Sequence, residues 1–279
     1  MLGICAMTGQ PRNAAPLIIN ADDVGMHPAI DDAVIELAQR GIVTSASVMS
    51  LGRPARAAIE ALHSADAGLG LHLDFTSALA HAAYSNAATL PGVMVAAWMR
   101  TLKPERVRTI IAAQLDRFCQ LTGRPPVFVD GHEHVHQFPM IRDALLDVLA
   151  ASRYGAGVHI RDTRPQRWRG AKAAIIGLLG ARALHRRARI AGHSANRDFL
   201  GVYDLSSGAD LAVLWRKWLR SVPPQGALAM CHPALPRHSH SLEPFRLREY
   251  AWLSSPEFAA LLQECRVTPA HWPVWHESM

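Results

Sequence analysis

Most of the features that would narrow the class of this chain quickly are absent. Its 279 residues include only four cysteines, Cys5, Cys119, Cys231 and Cys265, with no CxxC pair. That excludes a disulfide framework and fits ordinary buried thiols in a reducing compartment. Nowhere do about eighteen apolar residues run together, so no transmembrane helix is expected. The start, MLGICAMTGQPRNAAP, lacks a basic n-region and a sustained apolar stretch. Residues 1–15 therefore read as a flexible extension, not a secretory signal. No Pro/Gly/Ser linker, low-complexity tract or fixed-period repeat divides the rest. With 49% hydrophobic residues, one large domain over residues 16–279 is expected, in the cytoplasm.

Charge is present but unevenly spread. The net charge is +6 and the pI about 9.5. Arg161, Arg164, Arg167, Arg169, Lys172, Arg182, Arg186, Arg187 and Arg189 crowd one segment, against Asp162 alone. Such a stripe suits an anionic partner or is simply a solvated helix face. Interleaved aromatics are missing and Trp168 is the sole stacking platform, so nucleic acid is not expected as a partner.

Apolar runs alternate with helical periodicity. Strands are expected at Leu17–Ile19, Val43–Met49, Gly68–Leu73, Val127–Val129, Val158–Arg161 and Gly226–Cys231. Helices are expected at Pro28–Arg40, Pro54–His63, Glu105–Leu121 (closed by Gly123), Ile141–Ala151, Ala171–Ile190 and Pro256–Glu264. This alternation predicts an α/β fold with a parallel sheet, open or closed into a barrel. Polar groups gather where the strands end: Asn20-Ala21-Asp22-Asp23, His72 with Asp74, Asp130 with the histidines after it, Arg161, and His232. In α/β proteins those C-terminal ends carry ligands and chemistry.

Asp22 and Asp23 are either turn or cap residues or a pair pointing into one site. In the second case their repulsion calls for a cation. His72, alone on an apolar strand, would be an ordinary satisfied core residue, but the other strand ends offer matching groups. Two histidines and a carboxylate suit a divalent ion. In DGHEHVHQ an extended chain would put His132, His134 and His136 on one side and Glu133 and Val135 on the other. Alternate side chains on a strand stand about 6–7 Å apart. One of the three is then a ligand, and the others fix substrate or support the ligands from behind.

Five blocks in order, LIINADDVGMHPAIDDAV, GIVTSASVM, GLGLHLDFT, DGHEHVHQFP and ALAMCHPA, resemble the YdjC-like carbohydrate deacetylases, a group that includes chitooligosaccharide and hopanoid-associated deacetylases. The resemblance runs from about Leu17 to His232. It departs from the usual pattern at Val24, where Phe is common, and at Asp74, where Asn is frequent, a change that would alter polarity near the metal. It implies a single-domain distorted (β/α) barrel with its site at the C-terminal strand ends. It also implies one divalent ion on Asp23, His72 and His132, with Asp22 as general base and His232 as general acid. His134, His136, Arg161 and Asp74 are then substrate contacts or residues behind the ligands. Zinc or a related transition ion is favoured by two imidazoles, magnesium being the other candidate.

The function so implied is a metal-dependent hydrolase removing acetyl from an N-acetylamino sugar, free or lipid-linked. The alternatives are an inactive sugar- or lipid-binding protein on the same scaffold, or an amidohydrolase of a non-sugar amide. The segment AKAAIIGLLGARALHRRARIA, apolar and then basic, also fits an interfacial helix meeting an anionic membrane surface, against the alternative that Ile175–Leu179 pack on the barrel. The enzyme would then sit peripherally at the inner membrane.

Overall fold

The computed structural model describes residues 14–54, 56–85, 87–155, 157–205, 208–236 and 242–272. Residues 1–13, most of the expected extension together with Cys5, lie outside the described residues. Strand β1 (Ala15–Val24) leads into α1 (Pro28–Gln39), and β2 (Ser45–Val48) into α2 (Arg56–Ser64). After β3 (Gly68–Leu73) come α3 (Ala78–Ala83), α4 (Leu90–Trp98) and α5 (Pro104–Thr122). β4 (Phe128–Gly131) enters a 3-10 turn at His132–Gln137 and then α6 (Ile141–Ala151). β5 (His159–Ile160) precedes α7 (Ala171–Ile176), a π-type turn at Gly177–Ala181, and α8 (Arg182–Ile190). The order closes with β6 (Phe199–Leu200), α9 (Leu211–Leu219), β7 (Ala227–Cys231), α10 (Pro244–Leu253), α11 (Pro256–Glu264) and β8 (Val267–Pro269).

The strands pair in parallel in the order β5-β4-β3-β2-β1-β7-β6, with β8 added beside the start of β1. Among the described residues β5 and β6 share no ladder. An isolated bridge joins Ile160 of β5 to Ala195, in the segment that leads into β6. This is the distorted barrel, and its strands are apolar on the outer face, where the helices cover them.

Strand periodicity separates the layers. Leu17 and Ile19 join the core under the helices, whereas Ile18 packs with Phe128, Phe199, Leu228 and Trp272 inside the barrel. Trp272 stacks on Phe128 at 4.9 Å between centroids and donates to Ser45 Oγ at 2.9 Å, filling the barrel's lower end. Two residues on in the same phase, the inner face turns polar: Asn20 and Asp22 follow Ile18, and Asp130 follows Phe128.

Two local expectations fail. The histidine run is not extended, since Glu133 and His134 take left-handed backbone (φ 52° and 60°), so His132, His134 and His136 do not share one side. The helix expected over Ala171–Ile190 breaks at Leu179 and Gly180. Gly180 has φ +111°, and a Cβ there would lie 2.2 Å from the Gln137 carbonyl oxygen, a close approach that demands glycine.

Candidate active site

Adjacent strand residues ordinarily face opposite ways, so Asp22 and Asp23 need a device to share a site. The β1–β2 register breaks between Ala21 and Val24, and Asp23 itself sits at φ 74°. This bulge turns both carboxylates into the mouth of the barrel. Left-handed backbone at Asp23, Glu133 and His134 costs roughly 1–3 kcal/mol per residue, a strain that clusters at functional sites.

Asp23 Oδ1 lies 3.4 Å from His72 Nε2 and 3.0 Å from His132 Nδ1. All three candidate ligand atoms lie within 4.8 Å of one another. Neighbouring ligands around a tetrahedral ion with bonds of about 2.0–2.1 Å stand about 3.4 Å apart, so the set fits a small divalent cation. Behind it, His72 Nδ1 donates to Asp130 Oδ1 at 2.7 Å, leaving Nε2 aimed at Asp23. A carboxylate behind a ligating imidazole fixes its tautomer and raises its basicity. Burial opposes the His72 cation, but Asp130 outweighs it and the pKa rises to about 10. Burial likewise opposes ionised Asp23, yet His132 and His72 hold its pKa well below the usual carboxylate value.

A second grouping, Asp22, His72 and Asp130, is also close enough to hold a metal, but its oxygens are already engaged. Arg161, fully buried, grips Asp22 with two hydrogen bonds (2.7 and 2.6 Å) and reaches Asp130 Oδ2 at 2.5 Å. Ser47 Oγ donates to Asp130 at 2.6 Å and Asn20 Nδ2 to Asp22 at 2.7 Å. A cation at the centre of this group disfavours a second one. Desolvation would raise the Asp22 pKa, but Arg161 pulls it far below the ordinary range. Arg161 thus touches carboxylates, not open space.

His232 Nε2 stands 3.9 Å from Asp22 Oδ2 across the β1–β7 pair. Its backbone N–H donates to Glu249, which also accepts from Tyr203 Oη at 2.7 Å. Arg246, from α10, donates to Asp23 Oδ2 at 2.7 Å and to Glu243 at 3.0 Å. Above these groups opens a cleft of about 630 Å³ whose floor holds Asp22, Asp23, His72, His132 and His232. Its walls are largely apolar, from Leu90 and Met94 on one side to Ile176 and Leu179 on the other, with Phe138 and Phe245.

The three remaining expected residues divide. His134 lines the cleft, and burial, then His136 and Arg161, push its pKa well down, so it is a neutral imidazole. His136 is fully buried and donates through Nε2 to the Arg161 carbonyl at 3.1 Å; burial lowers its pKa to about 4. Asp74, also buried, accepts from the backbone of Thr76 and Ser77. It shapes the turn before α3 and lies outside the cleft lining, while its charge is one of the influences that raise the pKa of His132. Asn20 and Asp130 were visible at strand ends without a role. Ser47, Arg246, Glu249 and Tyr203 went unnoticed, and Arg246 offers no sequence signal because α10 carries no motif.

The sequence profile of the YdjC-like protein family matches residues 16–264, and the chain belongs to that family. A carbohydrate deacetylase of Mus musculus is 33% identical over 165 residues, covering 55% of this chain and 51% of the relative. A chitooligosaccharide deacetylase of Escherichia fergusonii is 30% identical over 135 residues, covering 45% and 52%. The chain spans about half the length of these curated relatives. Among solved structures, an Enterococcus faecalis protein described as a candidate cellobiose-phosphate cleavage protein superposes with TM-score 0.63 at 23% identity, covering 93% of this chain and 98% of that one. The lactam utilization protein of Thermus thermophilus gives TM-score 0.53 at 15% identity, covering 92% and 100%. At these identities both are likenesses of fold.

Proposed function

We propose that the chain is a metal-dependent carbohydrate N-deacetylase, a hydrolase of a non-peptide carbon–nitrogen bond that releases acetate and a free amine from an N-acetylamino sugar. The observation that carries this reading is the Asp23–His72–His132 ligand set with Asp22 and His232 beside it on the floor of an open cleft. A divalent ion held there, zinc or a related transition ion in preference to magnesium, would polarise the acetyl carbonyl and acidify water at the site. Asp22, kept ionised by Arg161, accepts the proton of the attacking water. His232 delivers a proton to the departing nitrogen, without which an amine is a poor leaving group. The 3.9 Å between the two supports relay of one proton between them. His134 offers a neutral imidazole to a sugar hydroxyl.

The apolar walls support a substrate whose sugar is carried on a lipid or lipid diphosphate, the polar ring reaching the floor and the carrier lying along the walls. Among the described residues no helix is long and apolar enough to cross a membrane. We place the reaction on the cytoplasmic face, in keeping with the unpaired Cys119, Cys231 and Cys265.

Acetate release from free, oligomeric and lipid-linked N-acetylamino sugars tests this directly. Asp22→Asn and His232→Ala should each keep the bound metal yet lose about 10²–10⁴-fold in kcat, the usual contribution of a general base or acid. A near wild-type rate in either variant would overturn its assignment.

A further inference from the structure

Part of the basic stripe is consumed internally. Arg161 lies in the site, Arg164 and Arg169 pair with Asp162 and Asp198, and Arg187 pairs with Asp143. Arg167, Arg182, Arg186 and Arg189 are exposed and, among the described residues, make no ion pair with a carboxylate. Arg167 and Arg182 border apolar groups that are also exposed, and Arg186 stands one turn beyond Arg182 on α8. On one lip of the cleft, Leu90 and Met94 of α4 line the wall, and the same helical stripe emerges one turn later as Trp98, 48% exposed, beside Met99 at 70%. On the other lip, Ile175 lines the wall, and three residues on Leu178 is 64% exposed. Trp168, 74% exposed, and Leu178 flank a hollow of about 480 Å³ with Arg167 and Arg182 and no carboxylate in its lining. Both lips thus carry apolar side chains from inside the cleft out to the surface, and cations border one of them.

We propose that this rim docks on an anionic phospholipid bilayer, with Trp98, Met99, Trp168 and Leu178 entering the headgroup–acyl boundary and Arg167, Arg182 and Arg186 meeting lipid phosphates. An exposed tryptophan beside arginines that make no ion pair, with a second tryptophan on the opposite lip, suits the interface between water and acyl chains, where amphipathic rings settle and basic groups are drawn to negative headgroups. A protein partner would need carboxylates set opposite the arginines, whereas a bilayer supplies phosphates wherever the rim lands. Docking turns the cleft mouth toward the lipid, so a lipid-borne sugar enters without leaving the membrane. Only this last consequence rests on the deacetylase reading.

The test is sedimentation of the full chain with phosphatidylcholine vesicles, with and without phosphatidylglycerol. Binding should require the anionic lipid and weaken as salt rises. The triple variants Arg167→Ala/Arg182→Ala/Arg186→Ala and Trp98→Ala/Trp168→Ala/Leu178→Ser should each lose at least tenfold in binding while retaining the wild-type far-UV spectrum and metal content. Arg216→Ala/Arg220→Ala, which removes two cations of α9 and its C-cap, should bind as wild type. Brominated lipid should quench tryptophan emission in the wild type and much less in the tryptophan variant. Absence of binding at low salt, equal loss in the α9 control, or a wild-type response from either rim variant overturns the proposal. Acetate release from a free oligosaccharide, which needs no vesicle, reports separately on the deacetylase reading.

Discussion

At the scale of single residues, the site depends on carboxylates that do not face the substrate. Asp130 joins His72, Ser47 and Arg161, so it sets both the His72 tautomer and the position of the arginine that clamps Asp22. Asp130→Asn keeps the shape but removes the charge and turns an amide toward Arg161. Metal affinity, measured by competition with a chromophoric chelator, should fall about 10–100-fold; unchanged affinity would mean that His72 is oriented by packing alone. Asp31 offers a case away from the metal. It is buried on α1, accepts from the Gly25 N–H at 2.7 Å, and burial pushes its pKa up to about 6 from 3.8. Because the folded-state value is the higher one, ionisation costs the native state more than the unfolded chain. Stability is therefore lost as pH rises from about 4 through about 6. A shift of about two units corresponds to about 3 kcal/mol at most. Asp31→Asn keeps an acceptor for Gly25 and should stabilise the protein by about 1–3 kcal/mol at pH 8, with the gain vanishing near pH 4. Urea denaturation at both pH values checks this, and a gain independent of pH would refute the buried-charge account.

At the scale of elements, periodicity exposed whatever was local. Ile141–Ala151 and Gly68–Leu73 stand where their patterns put them, and Gly123, at φ 70°, stops α5. That Asp22, Asp23, His72, His132 and His232 meet at one cleft was legible because strand ends concentrate such groups. What stayed hidden depends on long-range contact. β6 has two residues and β8 three, too short for any period. The bulge in β1 and the left-handed pair in the histidine turn are imposed by the site, against the local alternation. The break at Gly180 has a similar cause. Gln137 Nε2 donates to the Ile176 carbonyl and Gln137 O accepts from Arg142, which ties the histidine turn to the end of α7. A side chain at position 180 would run into that junction. Gly180→Ala should therefore cost about 1–3 kcal/mol for the forced φ alone, and more from the overlap with Gln137. It should also raise KM more than it lowers kcat, because Ile176 and Leu179 form a cleft wall without touching the reacting atoms. A variant with wild-type stability and KM would show that the junction yields freely.

At the scale of the whole molecule, the barrel is an apolar plug below and a dense ionic assembly above. Asp22, Asp23 and Asp130 are all buried, as are Arg161 and Arg246. Two guanidinium groups leave one of the three carboxylate charges uncompensated, and a proton on His72 or His132 covers it; the pKa values of both rise as the carboxylates overcome the cost of burial. A divalent cation in that place would supply positive charge instead, its ligands giving up protons. Binding to the folded chain alone, at 100 times the dissociation constant, adds about 2.7 kcal/mol. For a domain of this size that is on the order of 5–10 °C in Tm. Because the proton on His72 must leave, apparent affinity strengthens as pH rises toward about 10. At a fixed zinc concentration the gain in Tm over chelator-treated protein should therefore be larger at pH 8 than at pH 6, and His132→Ala should show little gain at either. Calorimetry of the stripped protein, with zinc added back, reads all of these quantities. A gain that is absent, the same at both pH values, or preserved in His132→Ala would dissociate the Asp23–His72–His132 cluster from metal binding.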